Sequence, residues 1–258
     1  MLSLLNGCAK PSTEQIALSS GFSQKFIQTT PFKIASYQKM QQPGANVTIY
    51  IEGDGNAWRS RTRLSEDPSP RSATVMSLAS IDPSTNVVYL ARPCQYSPQD
   101  LPSVCQAKYW SIARYAPTIV TAMNQAISAI KQDAKAPQIN LIGYSGGATI
   151  AVLVAAQRND IASIRTIAGN LDLTAMEKYH HTTPLSESLD PIDVASKVKH
   201  IPQLHFVGAK DKVVPELVVN NFVRAEGLAM DRVMVLAKVD HANGWLENWP
   251  HLLELKYE

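Results

Sequence analysis

Ile139-Asn140-Leu141-Ile142-Gly143-Tyr144-Ser145-Gly146-Gly147, continuing into Ala148-Thr149-Ile150-Ala151-Val152-Leu153-Val154-Ala155-Ala156, is the stretch that decides the architecture. A short apolar run of strand type meets a Gly-x-Ser-x-Gly turn. The segment after it is apolar nearly all round, as expected of a helix packed deep against a sheet. A serine hydroxyl is a poor nucleophile and must be held exposed, beside a base. A sharp strand-to-helix turn does this by forcing the serine into strained backbone geometry, and the flanking glycines keep strand and helix from colliding. The helix N-terminus and the amide of Gly146 would then face an oxygen that becomes negative during reaction. The competing reading is an ordinary glycine-rich turn.

Working outward, further strand-type runs are Phe32 to Tyr37, Val47 to Ile51, Val87 to Leu90, Ile164 to Ile167, Leu204 to Val207 and Val233 to Leu236. Helical patterns fill the spaces at 116–130, 148–156, 215–222 and 244–255. Near-continuous apolar strands alternating with helices predict an α/β fold, a mostly parallel sheet covered on both faces. Residues 1–21 read as a signal remnant and a polar, lipoprotein-like tether, and 22–258 as one domain with a lid-like insertion around 171–196. A second irregular stretch, 53–70, carries Arg59, Arg61 and Arg63, either cover or solvated surface.

Two later motifs share the pattern of a strand running into a polar loop. After Leu204–Val207 comes Gly208-Ala209-Lys210-Asp211-Lys212-Val213-Val214-Pro215, placing Asp211 66 residues beyond Ser145. After Val233–Leu236 comes Asp240-His241-Ala242-Asn243, with His241 30 residues further on. The three motifs, in the order nucleophile, acid, histidine, resemble the α/β-hydrolase superfamily from about Val47 to Leu255. The resemblance implies a serine hydrolase of esterase or lipase type with Ser145, Asp211 and His241 as its triad. Asp172, after the preceding strand, stands where some members carry the acid. Asp240 adjoins His241, but neighbouring side chains in extended backbone point apart. Of the other histidines, His205 reads as core and His251 as part of the last helix; His180 and His181 fall in the cover, and His200 in a surface loop.

The resemblance also implies an oxyanion hole from the amide of Gly146 and a second amide in Glu52-Gly53-Asp54-Gly55-Asn56-Ala57-Trp58. The donor there is Asp54 or Gly55, and Glu52 stands where many lipases and esterases have histidine. Trp58, Tyr144 and Tyr179 are candidate pocket walls. Gly53-Asp54-Gly55 opens a dinucleotide-like G-x-G pattern, but Trp58 takes the third glycine's place and an Arg-rich stretch follows. No H-E-x-x-H occurs and His180-His181 are adjacent, so no metal or other cofactor is expected.

In 258 residues, 24 Lys+Arg oppose 22 Asp+Glu, a formal charge of +2. That balance argues against a nucleic-acid coat, and the expected partner is a small ester-like substrate. No run of 18 apolar residues is present to span a bilayer. Three cysteines occur. Cys8, after Leu5-Asn6-Gly7, resembles a bacterial lipidation site without the usual basic start, or is a chance Gly-Cys pair. Cys94 and Cys105 enclose ten residues and are expected to pair as a disulfide in an exported protein, or to remain buried thiols in a cytosolic one. Together with Glu52-Gly53-Asp54-Gly55 and Arg92-Pro93-Cys94, this resembles bacterial exported or lipid-anchored hydrolases of the cell envelope, with attachment through Cys8. The same triad would also serve an acyltransferase, and a catalytically silent envelope lipoprotein could keep the fold as a binding scaffold.

Overall fold

The computed structural model describes residues 11–60, 62–96 and 104–257. Eight strands form one sheet: β1 (Ser23–Gln28), β2 (Lys33–Met40), β3 (Val47–Ile51), β4 (Asn86–Leu90), β5 (Ile139–Tyr144), β6 (Ile161–Ile167), β7 (Gln203–Gly208) and β8 (Val233–Leu236). Their spatial order is β1-β2-β4-β3-β5-β6-β7-β8. Pairing is antiparallel for β1–β2 and β2–β4 and parallel from β4 through β8. The helices are α1 (Thr13–Ser19), α2 (Thr74–Ser80), α3 (Pro117–Ala134), α4 (Gly146–Ala155), α5 (Leu173–His180), α6 (Ala195–Val198), α7 (Glu216–Glu226) and α8 (Trp245–Glu254).

The central strands bury alternate residues on opposite faces. Ile49 and Ile51 of β3, with Val88 and Leu90 of β4, join a core beneath α3, α4 and α7. Tyr50, Val87 and Tyr89 join a second core beneath α2 and α8 that contains Trp245 and Trp249. Two buried faces account for the continuous apolar runs of these strands. Tyr50 meets this demand with a polar tip: its hydroxyl donates to Asp82 at 2.6 Å and accepts from Trp249 Nε1 at 2.9 Å.

Several elements depart from the sequence reading, among them α5, which forms in a segment read as irregular. β1 is an edge strand, exposed along almost its whole length, so no buried face imposes an apolar alternation on it. α2 is a seven-residue helix in a segment with no helical reading. The stretch read as a tether as far as Gly21 is helical over Thr13–Ser19. Ser12 and Gln15 form a reciprocal capping box, and Thr13 and Ala17 are buried. The folded body therefore begins before residue 22. Cys8 lies outside the described residues. Cys94 and Cys105 are disulfide-bonded, with Cα atoms 5.4 Å apart. Within 171–196 the chain forms α5 and a 3-10 turn at Pro191–Val194 before α6 begins.

Candidate active site

All parallel strands point their C-terminal ends to one edge of the sheet, where open α/β folds bind ligands. Ser145 leaves β5 there with φ 51° and ψ −120°, a conformation that costs a residue with a side chain on the order of 1–3 kcal/mol. Packing and hydrogen bonds hold it. The Ser145 amide donates to Ile167 O at 2.9 Å, and its carbonyl accepts from Ala148 N at 3.0 Å and Asn170 N at 3.2 Å. The two motif glycines are needed for contact: a Cβ on Gly143 would lie 2.4 Å from Ala148 Cα, and one on Gly147 2.2 Å from Ile51 O.

Asp211 sits in the turn after β7, with its side chain fully buried. Oδ1 accepts from the amides of Val213 (2.7 Å) and Val214 (2.8 Å). Oδ2 receives Nδ1 of His241 at 2.8 Å. A carboxylate only accepts, so Nδ1 carries a proton, and in the neutral imidazole Nε2 then keeps the lone pair. The histidine loop is fixed through its backbone, because the His241 carbonyl accepts from the Tyr144 hydroxyl at 2.8 Å and from Trp245 Nε1 at 3.0 Å. The Tyr144 ring lies 5.3 Å from the imidazole, centroid to centroid. Tyr144, expected as a pocket wall, is thus a strut from the residue beside Ser145 to the histidine loop. Among the described residues neither Ser145 Oγ nor His241 Nε2 has a hydrogen-bond partner. The serine–histidine link is therefore not formed here, and in serine hydrolases such contacts often tighten only when substrate binds.

The rival acids have other employment. Asp172 caps α5, its Oδ1 accepting from Ala175 N at 2.8 Å, while Oδ2 accepts from Asn221 at 2.8 Å. Asp240 folds its own turn through the amides of Ala242 (2.9 Å) and Asn243 (2.8 Å), which depress its carboxyl pKa. His205 is fully buried against Thr166 (2.9 Å), and burial pushes its pKa down to about 3. His180 Nε2 donates to Val213 O at 2.7 Å, tying α5 to the acid loop. Tyr179 and Trp58 are half exposed, at 46% and 44%. His181, His200 and His251 are exposed.

The loop after β3 runs alongside the elbow because β3 and β5 are neighbours, with Ile51 opposite Gly143. A Cβ on Gly53 would lie 3.3 Å from Ser145 Cβ. The Gly53 amide is taken by Glu52 Oε1 (2.8 Å) and the Asn56 amide by Pro68 O (2.9 Å). Between them, the amides of Asp54 and Gly55 have no protein partner among the described residues. Glu52 is buried, with Oε2 accepting from the Tyr89 hydroxyl at 2.8 Å. Burial raises its pKa to about 7 against the opposing effects of Gly53 N–H, Tyr89 and Arg92. Gln95 Nε2 donates to Gly53 O at 2.9 Å. Sequence reasoning noted Arg92 only within Arg92-Pro93-Cys94 and missed that it meets Arg114 and Tyr115 around the Asp54 side chain. They come from two other loops, and no local spacing marks them.

Sheet order, a serine at the strained junction after β5 and an aspartate–histidine pair beyond the ends of β7 and β8 are the arrangement of the α/β-hydrolase fold, and this chain has that fold. Est1E from Butyrivibrio proteoclasticus is similar over 89% of this chain and 95% of its own, at 13% identity and a TM-score of 0.62. The Pyrococcus furiosus esterase Pf2001 matches over 95% of each chain, at 14% identity and a TM-score of 0.62. An acylaminoacyl peptidase from Pyrococcus horikoshii matches over 91% of this chain and 41% of its own, at 12% identity and a TM-score of 0.60. No family model and no curated protein sequence matches the chain.

Proposed function

We propose that the protein is a serine hydrolase acting on a carboxylic ester through an acyl-enzyme. The observation that carries the reading is the 2.8 Å bond from His241 Nδ1 to Asp211, which makes Nε2 the basic nitrogen of the neutral ring, together with the strained elbow that holds Ser145. Ser145 Oγ adds to the acyl carbon while His241 Nε2 takes its proton. The tetrahedral oxyanion is held by the amides of Gly146 and of Asp54, whose nitrogen adjoins the glycine that touches Ser145; Gly55 is the alternate donor. Collapse expels the alkoxide, which receives the proton from Nε2 and leaves as alcohol. Water then adds to the acyl-enzyme, giving its proton to Nε2, and the acid departs as that proton returns to Ser145. Asp211 stays ionised, orienting the imidazole and stabilising its cationic form.

Esterase-fold neighbours and the open Asp54 and Gly55 amides support hydrolysis over a binding scaffold. Membrane attachment through Cys8 and an envelope location belong to the same proposal, resting on the N-terminal sequence and the disulfide. Treatment with a fluorophosphonate should label Ser145, and Ser145→Ala should lose label and p-nitrophenyl ester turnover together, by several orders of magnitude, with unfolding unchanged. Undiminished turnover in the alanine variant would sink the mechanism. Products analysed with competing alcohols separate hydrolysis from acyl transfer.

A further inference from the structure

The Asp54 side chain turns away from solvent into a charged cluster beneath the elbow, one not foreseen from sequence. Oδ2 accepts from Arg114 Nη1 at 2.9 Å and from the Tyr115 hydroxyl at 2.8 Å, and Oδ1 from Arg92 Nη1 at 3.3 Å. Arg92 is almost fully buried, 6% exposed at its side chain. The same Nη1 donates to the Gly146 carbonyl at 3.3 Å, and Nη2 donates to the Arg114 carbonyl. Its guanidinium lies 5.1 Å over the Tyr115 ring. Burial favours the neutral form of Asp54, but Arg114 and Arg92 outweigh it and hold the carboxyl below its usual pKa. A Cβ on Gly146 would lie 2.1 Å from Asp54 Oδ1 and 2.5 Å from the Tyr115 hydroxyl. Carboxylate and elbow are therefore in van der Waals contact, and only a glycine fits between them.

We propose that Arg92, with Asp54 and Tyr115, is the positioning device of the oxyanion hole. One guanidinium nitrogen grips both walls, the loop through the Asp54 carboxylate and the elbow through the Gly146 carbonyl. It thereby fixes the separation of the two amides that face the developing oxyanion. The cluster carries two guanidinium charges against one carboxylate, so a buried positive charge also lies beneath the helix start. A planar, forked cation is required because Nη2 holds the Arg114 carbonyl while Nη1 serves both walls, and a lysine ammonium offers a single nitrogen. The device acts through the amides and does not touch substrate, so its effect falls on the transition state. This inference rests on the hydrolase reading above.

The test compares Arg92→Lys and Tyr115→Phe with the parent enzyme and Ser145→Ala on a p-nitrophenyl ester. Affinity for a trifluoromethyl ketone, whose serine adduct carries the oxyanion, is measured alongside. Arg92→Lys should lower kcat 10- to 100-fold with KM within about twofold, and weaken the ketone by the same factor as kcat/KM. Tyr115→Phe should do the same at 3- to 10-fold. Folded variants that keep kcat and ketone affinity within twofold of the parent, or that lose only thermal stability, overturn the proposal. If Arg92→Lys fails to fold, Tyr115→Phe decides. Failure of the hydrolase reading itself shows separately, as a Ser145→Ala protein that still turns over.

Discussion

Substituting Glu52 by glutamine should flatten the pH dependence of stability. The folded carboxyl, 3% exposed and raised from an ordinary 4.5 to about 7, keeps a proton that the unfolded chain has already released between those pH values. Unfolding in that window frees a proton, so stability falls as pH rises through it. At about 1.4 kcal/mol per unit, the loss between pH 4.5 and 8.5 is about 3 kcal/mol. Glutamine reproduces the protonated form: its oxygen accepts from Gly53 N–H, and its amide donates to the Tyr89 hydroxyl, which rotates to accept. Urea unfolding of both proteins across that range, with the disulfide intact, isolates this one site, because every other titrating group is common to both. The parent curve should fall by about 3 kcal/mol relative to the glutamine variant. Parallel curves would refute the reasoning, since they would require Glu52 to titrate alike in the folded and unfolded chains.

Asp211→Asn should lower kcat by about four orders of magnitude, because the amide favours the wrong imidazole tautomer, whereas Asp172→Asn should keep activity within a few-fold, its side-chain oxygen still capping α5 while the contact to Asn221 is lost. Converting both Cys94 and Cys105 to serine should cost about 2–3 kcal/mol in urea unfolding; a non-reducing gel of the untreated protein that finds two free thiols would count against the pair. Gly147→Ala should unfold or inactivate the protein, as its methyl group meets Ile51 O at 2.2 Å. A soluble, active Gly147→Ala protein would show that β3 and the elbow are less closely packed than drawn.

What was legible in the sequence followed from local rules. β3 matches its predicted bounds because a continuous apolar run has one use in a strand buried on both faces, and β8, a partly exposed edge strand, matches through its run of apolar residues alone. Ser145, Asp211 and His241 were readable because each sits where a strand ends in a short loop of distinctive composition. β1 escaped notice because a solvated edge strand imposes no apolar pattern, and α1 because burial of only Thr13 and Ala17 leaves a polar segment.

The amino-acid sequence by itself therefore determined the layer architecture and the three residues expected to react, since periodicity and turn chemistry are properties of neighbours along the chain. Only the tertiary structure decided what surrounds them. Asp172 meets Asn221, Tyr144 reaches the His241 carbonyl, and Asp54 is a partly buried anion between two arginines. Those outcomes depend on groups 38 to 97 residues apart meeting at one sheet edge, and a charge's partner across such distances is set by packing, which no local pattern records.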